Sequence, residues 1–299
     1  MKKSKIKHRR RTSLQKNLKA YVLVLPAVIL ISTFVIYPFL SAVVLSFYDV
    51  RIYEDNIFVG LANYANVLGS REFWRSILVG FKYVAILLPC QFVLGFLIAL
   101  HIKGGRAGAR TVKATIYVPN LISGIITGTI FSLIFSYDTG LLNKLIGLFG
   151  VSPIPFTDQM PMFSILVPGV WLGLGYITLV LLSALNEVPQ TYYEAARLDG
   201  AGPLSCFFKI TLPYIKNVLI YLLVTSFAAN LQQYELSMTI TGDLYNGATT
   251  TPNYYIYNLL TYGNRRPQAI VASLMMFIIL GTATAIIFSL MKSEKSIDG

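Results

Sequence analysis

Long apolar stretches separated by short polar segments dominate the hydropathy pattern of this chain. Each stretch approaches or exceeds the length of about 20 mostly apolar residues that an α-helix needs to cross a bilayer. The pattern predicts six membrane-spanning helices, at about 21–47, 76–101, 114–136, 163–185, 214–234 and 268–291. The third and fifth contain small or polar residues, among them Gly124, Gly128 and Asn230, which indicate helices packed in the protein interior. The expected fold is therefore an all-α polytopic membrane protein with six transmembrane helices.

Composition indicates a membrane protein and not a soluble domain. Of the 299 residues, 55% are hydrophobic and only 13% are charged, and the mean hydropathy is +0.62. The formal net charge of +12 raises the question of nucleic-acid binding. However, the basic residues flank the apolar stretches and do not alternate with aromatic residues in a soluble segment. Only Cys90 and Cys206 are present, so the sequence offers no disulfide framework.

The distribution of lysine and arginine predicts the orientation in the membrane. These residues are concentrated in the segment 1–20 and the loop 102–113, and two more lie in the tail 292–299. Because positively charged loops tend to stay on the cytoplasmic side, both termini are expected in the cytoplasm. The expected organisation is a basic N-terminal tail at 1–20, a six-span domain at 21–291 and a C-terminal tail at 292–299.

A more polar segment at about 186–213 separates the fourth and fifth spans and is cytoplasmic by alternation. Asn186 suits the cap of a helix, Pro189 its first turn and Gly200 its end. A second short helix follows and is expected to end at Pro213, so the segment is predicted to be two helices joined by a turn. On composition alone it is also compatible with an ordinary amphipathic connector.

Seven positions of this segment have the spacing Glu-Ala-Ala, three residues, Gly, nine residues, Ile, one residue, Leu-Pro. They are Glu194, Ala195, Ala196, Gly200, Ile210, Leu212 and Pro213. This spacing resembles the EAA loop of the permease subunits of bacterial ABC importers. The stretches LPAVILISTFVIYPFLSAVVLSFYD and YVPNLISGIITGTIFSLIFSYDTGLLNKLIG are similar to the carbohydrate branch of that family, the maltose and glycerol-phosphate type. Phe131 and the stretch 242–246 depart from that branch, which affects the identity of the sugar and not the class.

The resemblance implies the type I ABC importer permease fold and a set of partners. In the bacterial cytoplasmic membrane the chain would form a heterodimer with a second homologous permease subunit. It would also bind a cytoplasmic ABC ATPase dimer and an extracytoplasmic solute-binding protein, and would translocate a carbohydrate, expected to be an oligosaccharide. The chain has no G-x-x-x-x-G-K-[ST] phosphate loop. We therefore expect it not to be an enzyme and to need no cofactor, with ATP and Mg used by the partner ATPase.

The resemblance also implies that the EAA segment couples the chain to the ATPase. Gly200 would provide a left-handed turn, which glycine tolerates best. Glu194 would pair with a basic residue of the ATPase or cap a local amide, unless it is simply a solvated charge. Asp199 would hold the turn by accepting a backbone hydrogen bond. Ala195 and Ala196 have almost no side chain, so another protein surface could approach the helix backbone there.

Polar residues in the spans are candidates for a substrate path, because such residues are costly where they face lipid. The candidates are Gln91, Asn120, Ser123, Thr127, Asn230, Gln232, Gln233 and Glu235. Amide side chains can hydrogen-bond sugar hydroxyls without charge, which suits a neutral ligand. Each residue is equally compatible with hydrogen bonding between helices.

Other interpretations remain open. A secondary carrier driven by an ion gradient would be expected to have midplane acidic residues and inverted repeats of broken helices. A second alternative is a scaffold that recruits a cytoplasmic partner. A third is an importer permease for a non-sugar solute such as glycerol phosphate. Metal or catalytic-triad chemistry is disfavoured because His8 and His101 are the only histidines. Trp74, Tyr254 and Tyr255 suit an aromatic belt at the membrane surface or, alternatively, stacking on a sugar ring.

Overall fold

The computed structural model describes residues 18, 20–51, 55–105, 107–242, 247–263 and 265–292 of the chain. Most of the basic N-terminal tail, including His8, most of the departure at 242–246 and nearly all of the C-terminal tail lie outside the described residues. The chain separates into two compact units. Unit 1 is Met1–Val67 with Arg265–Leu274, and unit 2 is Leu68–Asn264 with Met275–Gly299.

Unit 1 contains the first long helix and a small hairpin. Helix α1 spans Ala20–Leu45 and includes a π-helical stretch at Ser32–Ile36. Strands β1 (Tyr48–Asp49) and β2 (Ile57–Phe58) pair antiparallel, and α2 (Ala62–Leu68) follows. The Asn63 Nδ2 group donates hydrogen bonds of 3.0 and 2.9 Å to the carbonyl oxygens of Ser46 and Tyr48. This buried amide fixes the end of α1 to the hairpin. The hairpin is a small β element that the sequence did not predict; the other regular elements of the described residues are helical, as predicted.

Unit 2 contains most of the remaining helices. They are α3 (Arg71–Lys103), α4 (Ala109–Thr115) with a 3₁₀ turn at Val118–Leu121, α5 (Gly124–Ile134), α6 (Leu141–Gly147), α7 (Phe156–Gln159), α8 (Pro161–Glu187), α9 (Gln190–Leu198), α10 (Pro203–Tyr214), α11 (Lys216–Leu231), a π-helical stretch at Ser237–Thr241 and α12 (Pro252–Thr261). Helix α13 (Arg266–Lys292) begins in unit 1 and ends in unit 2.

Within the described residues, four helices are long and apolar enough to cross a membrane: α1, α3, α8 and the part of α13 at Arg266–Leu290. Two bent pairs pass the same test of length and composition. Ala109–Leu121 and α5 meet at 102°, and α10 and α11 meet at 70°. The six predicted spans are therefore found if each bent pair counts as one span, and the third and fifth are not the continuous helices that the hydropathy pattern suggested.

Extended backbone breaks the third predicted span between the 3₁₀ turn and α5. Ile122 and Ser123 have ψ angles of 136° and 150°, and neither continues the helix. The Ser123 hydroxyl accepts a hydrogen bond of 3.3 Å from the Ile126 amide, so it caps the new helix. Ser123, which the sequence placed on a substrate path, is thus the N-terminal cap of α5.

The fifth predicted span is broken next to Pro213. Proline has no amide hydrogen and its ring crowds the preceding turn, where the helix is π-helical at Phe207–Thr211, and the helix ends at Tyr214. Ile215, with φ −91° and ψ 9°, joins α10 to α11. Pro213 therefore lies within the last turn of α10 and marks the bend between the two helices.

An apolar core connects α3, α8 and α11 inside unit 2. Ala99, Ile177, Leu181 and Leu222 are at its centre, each at most 1% exposed. Gly95 faces this core, where an added Cβ would lie 2.9 Å from Ile177 Cγ2. Small residues allow this close helix contact, which matters in a membrane because lipid is as apolar as the side chains themselves.

Candidate cavity and coupling loop

A cavity of about 410 Å³ lies among α3, α8, α11 and the residues that follow α11. Apolar residues and glycines form much of its wall. The polar residues around it are Tyr83, Gln91, Asn120, Tyr176, Thr225, Ser226, Asn230, Gln233 and Glu235. A concave apolar wall with a few convergent polar groups is the usual form of a small-molecule site.

Two side chains of α3 bring unpaired polar atoms to the cavity wall. Gln91 is fully buried, and its Nε2 group donates a hydrogen bond of 2.9 Å to the carbonyl oxygen of Gly169. Within the described part of the chain, its Oε1 atom and the hydroxyl of the buried Tyr83 have no hydrogen-bond partner. A buried polar atom without a partner is costly, so these two atoms are unsatisfied hydrogen-bonding groups of the wall.

Glycines of α8 make the room for these two side chains. An added Cβ at Gly169 would overlap the Tyr83 hydroxyl, and one at Gly173 would overlap the Gln91 amide. The two glycines are four residues apart, so they lie on one face of the helix. The sequence interpretation missed Tyr83, and the G-x-x-x-G spacing at 169–173 was the signal that could have indicated this close contact.

The residues after α11 approach α5 equally closely. The Glu235 carboxylate lies against Gly124, and the Thr239 hydroxyl lies against Gly128; an added Cβ at either glycine would overlap these groups. The expectation that small residues in the third span allow close packing is therefore confirmed. Gly124 is the first residue of α5, so the carboxylate lies at the positive end of a helix dipole.

The structure brings together five of the eight residues predicted for a substrate path: Gln91, Asn120, Asn230, Gln233 and Glu235 line the cavity. Thr127 is buried and has no partner for its hydroxyl within the described residues, but it lies outside this lining. Gln232 is exposed, and its Nε2 group donates to the carbonyl oxygen of Ala228 in the same helix. A role in transport stays a prediction for all of them.

Some of these amides also bond to the backbone, and the bond of Asn120 joins two helical segments, as the alternative interpretation expected. Asn120 Nδ2 donates across to the Leu172 carbonyl oxygen at 3.3 Å, whereas Asn230 Nδ2 donates to Ser226 within α11 at 2.8 Å. Each of these bonds uses one amide hydrogen. The amides therefore contribute to packing and still line the cavity.

The loop predicted to couple the chain to a partner begins with α9. This helix ends in a Schellman motif at Gly200 and Ala201. Gly200 has a φ of +81°, in the left-handed region. Its amide donates to Arg197, and the Ala201 amide donates to Ala196, at 3.0 and 2.8 Å. These two bonds satisfy carbonyl groups at the helix end. The predicted left-handed turn at Gly200 is confirmed.

Two local expectations for this loop, those for Asn186 and Asp199, were wrong, and one of the alternatives for Glu194 is excluded. Asn186 belongs to the last turn of α8 and does not cap α9, which begins at Gln190 after Pro189. Among the described residues, the Asp199 side chain makes no hydrogen bond to the turn, because backbone bonds already close it. Glu194 caps no amide of the described chain and is exposed on α9, which leaves a partner's basic residue or solvent as its surroundings.

Large apolar side chains of the loop are exposed. Leu198 is 90% exposed, Leu204 75% and Phe208 61%. Ala195 is exposed and Ala196 half-buried, so no bulky side chain covers the helix backbone there. We call Leu198, Leu204 and Phe208 the apolar loop surface. Exposed apolar side chains of a loop are typical of a contact with another protein or with the membrane.

The other side of the loop is attached to the core of unit 2. Tyr193 and Ile210 pack against the apolar core, and the Tyr193 hydroxyl lies 2.8 Å from Thr211 Oγ1. Lys103, in the last turn of α3, donates a hydrogen bond of 2.5 Å to the Leu185 carbonyl oxygen of α8. These contacts connect α9 and α10 with the ends of α3 and α8. The remaining motif residues, Leu212 and Pro213, are half-buried and exposed, respectively.

The aromatic residues have different environments. Tyr254 is only 3% exposed and stacks on Tyr257, which also stacks on Tyr234, at centroid distances of 6.3 and 5.8 Å. A side chain buried inside the protein cannot reach the membrane surface, so Tyr254 is not part of an aromatic belt. Trp74 is 49% exposed and remains a candidate for the belt, and the Tyr255 hydroxyl lies 3.3 Å from Ser70 Oγ.

Comparison with known proteins gives a consistent result. Residues 22–293 match the family described as binding-protein-dependent transport system inner membrane component. The chain is 33% identical over 249 residues to the trehalose/maltose transport system permease protein MalF of Thermococcus litoralis, with 81% of this chain and 84% of the relative covered.

Two solved structures are similar to this fold. A bacterial ABC transporter involved in the import of the acidic polysaccharide alginate has a TM-score of 0.80 at 20% identity, covering 96% of this chain and 100% of that chain. A bacterial alginate ABC transporter in complex with an alginate pentasaccharide-bound periplasmic protein has a TM-score of 0.74 at 21% identity, covering 94% and 95%. At these identities the likeness shows the fold alone, which is that of ABC importer permeases.

Proposed function

Because the chain belongs to the family of binding-protein-dependent transport system inner membrane components, we propose that it is the permease subunit of an ABC importer for an oligosaccharide. The names of the relative and of both solved structures, which refer to trehalose, maltose and alginate, support a saccharide cargo. The observation that carries the proposal is the cavity that Gln91, Asn120, Asn230 and Gln233 line together. Amide groups suit the hydroxyls of a saccharide because they both donate and accept hydrogen bonds.

The EAA segment is proposed to bind the ATPase. Helix α9 is short and ends at the rigid turn of Gly200, and the apolar loop surface is exposed beside it. Glu194 and Arg197 add exposed charges of opposite sign on the same helix. A cleft of the ATPase that contacts both would bind this loop through apolar burial and ion pairs. ATP and Mg would be bound by the ATPase and not by this chain.

Movement of this loop is proposed to drive alternating access. Tyr193, Ile210 and Lys103 connect the loop to the ends of α3 and α8. These two helices also form much of the cavity wall, through Gln91 and Gly173 among others. A rigid-body displacement of α9 on ATP binding would therefore change the access to the cavity.

The proposal includes two further partners and an orientation. A second homologous permease subunit would complete the translocation path, and an extracytoplasmic solute-binding protein would deliver the cargo. The positive residues of the loop 102–113 and of the N-terminal tail support cytoplasmic termini and a cytoplasmic EAA segment. Family membership disfavours a secondary carrier, whose energy would come from an ion gradient.

The test is purification of the tagged chain from its native membrane in a mild detergent, with mass spectrometry of the proteins that stay bound. The expected result is a second six-span permease and an ATPase with a phosphate-binding loop, and ATP-dependent uptake of an oligosaccharide once the complex is placed in proteoliposomes with its binding protein. Recovery of the chain alone, with uptake that follows an ion gradient, would contradict the proposal.

A further inference from the structure

In the part of the chain that the structure describes, the lining of the cavity includes an acidic side chain but no basic one. Glu235 is the only acidic residue among the described residues that line it, and this lining contains no Lys, Arg or His. The other polar groups of the wall are amides and hydroxyls. A ligand in the cavity therefore meets one carboxylate and no cationic side chain of this chain.

The Glu235 side chain lies beside the start of α5. Its carboxylate lies against Gly124, at the N-terminal end of α5. The helix has 11 residues, and its dipole stabilises a negative charge at this end. Because Gly124 has no side chain, nothing separates the carboxylate from the helix backbone. The cavity wall thus includes a carboxylate next to the backbone of α5.

The two unpaired polar atoms of α3 point to the chemistry of the ligand. Gln91 Oε1 is an acceptor, and the Tyr83 hydroxyl can donate; both are fully buried and line the cavity. A hydroxyl group both donates and accepts, so it can satisfy one or both of these atoms. A carboxylate or phosphate oxygen only accepts, so it cannot donate to Gln91 Oε1, whereas a hydroxyl of the cargo can.

We infer that the cavity selects uncharged, polyhydroxylated cargo and excludes anionic saccharides such as uronates and sugar phosphates. Glu235 repels an anion, and the low-dielectric surroundings of a membrane protein strengthen this repulsion. Gln91 and Tyr83 favour hydroxyl groups. The inference rests on the proposed function, because it assigns a charge class to the saccharide of the same importer.

The experiment uses the complete importer in proteoliposomes or nanodiscs. A panel of neutral oligosaccharides identifies one that is imported, and the same oligosaccharide is then oxidised at a primary alcohol to give the matched uronate. Binding of both sugars to the complex, without the solute-binding protein, is followed by saturation-transfer NMR, so that the selectivity of the binding protein does not enter. Import of both sugars is measured separately.

The wild-type complex is expected to bind the neutral sugar and to bind the uronate at least about tenfold more weakly. Glu235→Gln should raise the ratio of uronate to neutral binding by about tenfold, because the repulsion is removed while the size is kept. Glu235→Asp keeps the charge and should keep the low ratio. Asp138→Asn, which removes an exposed carboxylate outside the cavity, is the matched control and should leave the ratio unchanged.

The outcomes separate this inference from the proposed function. If no saccharide of either kind is imported with ATP, the proposed function fails. If a saccharide is imported but the wild-type complex binds the uronate as well as the neutral sugar, the charge selection is wrong. A Glu235→Gln complex with the wild-type ratio would overturn it as well.

Discussion

The ammonium group of Lys103 lies 5.5 Å from the centre of the Tyr193 ring, so the last turn of α3 contacts the helix that begins the EAA segment. The same nitrogen donates a hydrogen bond to Leu185, one of the last carbonyl groups of α8. A single side chain thus contacts α3, α8 and α9. Since α3 and α8 also form the cavity wall, this contact would transmit the proposed movement of the loop to the cavity.

Replacement of this ammonium group should reduce the coupling of transport to ATP hydrolysis. Lys103→Met keeps the apolar stem but loses the hydrogen bond and the cation–π contact, worth roughly 1–3 and 0.5–2 kcal/mol. We expect the number of molecules imported per ATP to fall about fivefold or more while ATP hydrolysis continues. The measurement is parallel uptake and phosphate release in proteoliposomes. Lys113→Met, at an exposed position of α4, is the control. If both variants import the same number of molecules per ATP, Lys103 has no part in the coupling.

A side chain at Gly200 should abolish uptake by straining the turn. An added Cβ would meet no atom within 4 Å, so the whole effect comes from the φ of +81°. A β-branched residue there costs about 1–2 kcal/mol and distorts the Schellman motif. Gly200→Val should therefore reach the membrane but fail to import, whereas Gly200→Asn, which tolerates this conformation, should retain most uptake.

The same loop supplies a control for this prediction. Gly202 also has open space around it but an ordinary φ of −76°. Gly202→Val tests whether bulk alone disturbs the loop. Loss of uptake in both valine variants would show that the left-handed turn is not the cause.

Removal of the Tyr83 hydroxyl should affect stability and transport in opposite directions. In the described structure this hydroxyl is buried without a partner, so Tyr83→Phe removes a desolvation cost and should leave the melting temperature unchanged or higher. Uptake should fall severalfold if the hydroxyl binds cargo. Tyr255→Phe, which removes a hydroxyl next to Ser70, is the comparison: a small loss of stability with normal uptake is expected. A Tyr83→Phe complex with normal uptake would assign the hydroxyl to packing.

A methyl group at Gly173 should disturb the contact between α3 and α8. The new Cβ would overlap the Gln91 amide, and overpacking of this kind costs about 1–3 kcal/mol. Gly173→Ala should therefore lower the melting temperature of the complex and reduce uptake. Gly281→Ala in α13 meets no atom within 4 Å and should change neither. Equal melting temperatures for the two variants would contradict the close contact.

The sequence predicted those features that depend on local composition. Apolar stretches located the four long helices, and the position of Gly200 predicted its left-handed turn, because glycine is favoured where φ is positive. Hydropathy reports apolar content and not helix continuity, so the breaks at Ser123 and Ile215 could not be read from it. The polar residues of the cavity were recognised in part, because amides in an apolar stretch are conspicuous.

The residues that were missed depend on tertiary contacts. Tyr83 resembles an ordinary aromatic residue of a span until Gly169 is seen to face its hydroxyl. Lys103 resembles one more positive residue of a cytoplasmic loop until its nitrogen is seen beside Tyr193. In both cases the role follows from a neighbour that is more than 80 residues away in the sequence.

The apolar loop surface also affects how fast the protein is degraded in the cell when it has no partner. If the loop is cytoplasmic and binds an ATPase as proposed, a copy made without that partner would leave Leu198, Leu204 and Phe208 uncovered, and chaperones and proteases recognise exposed apolar segments of this kind. We expect the steady-state amount of this chain to follow the amount of its ATPase, with surplus copies degraded. The synthesis of the two proteins would then have to be matched, so that assembly itself protects the subunit from turnover.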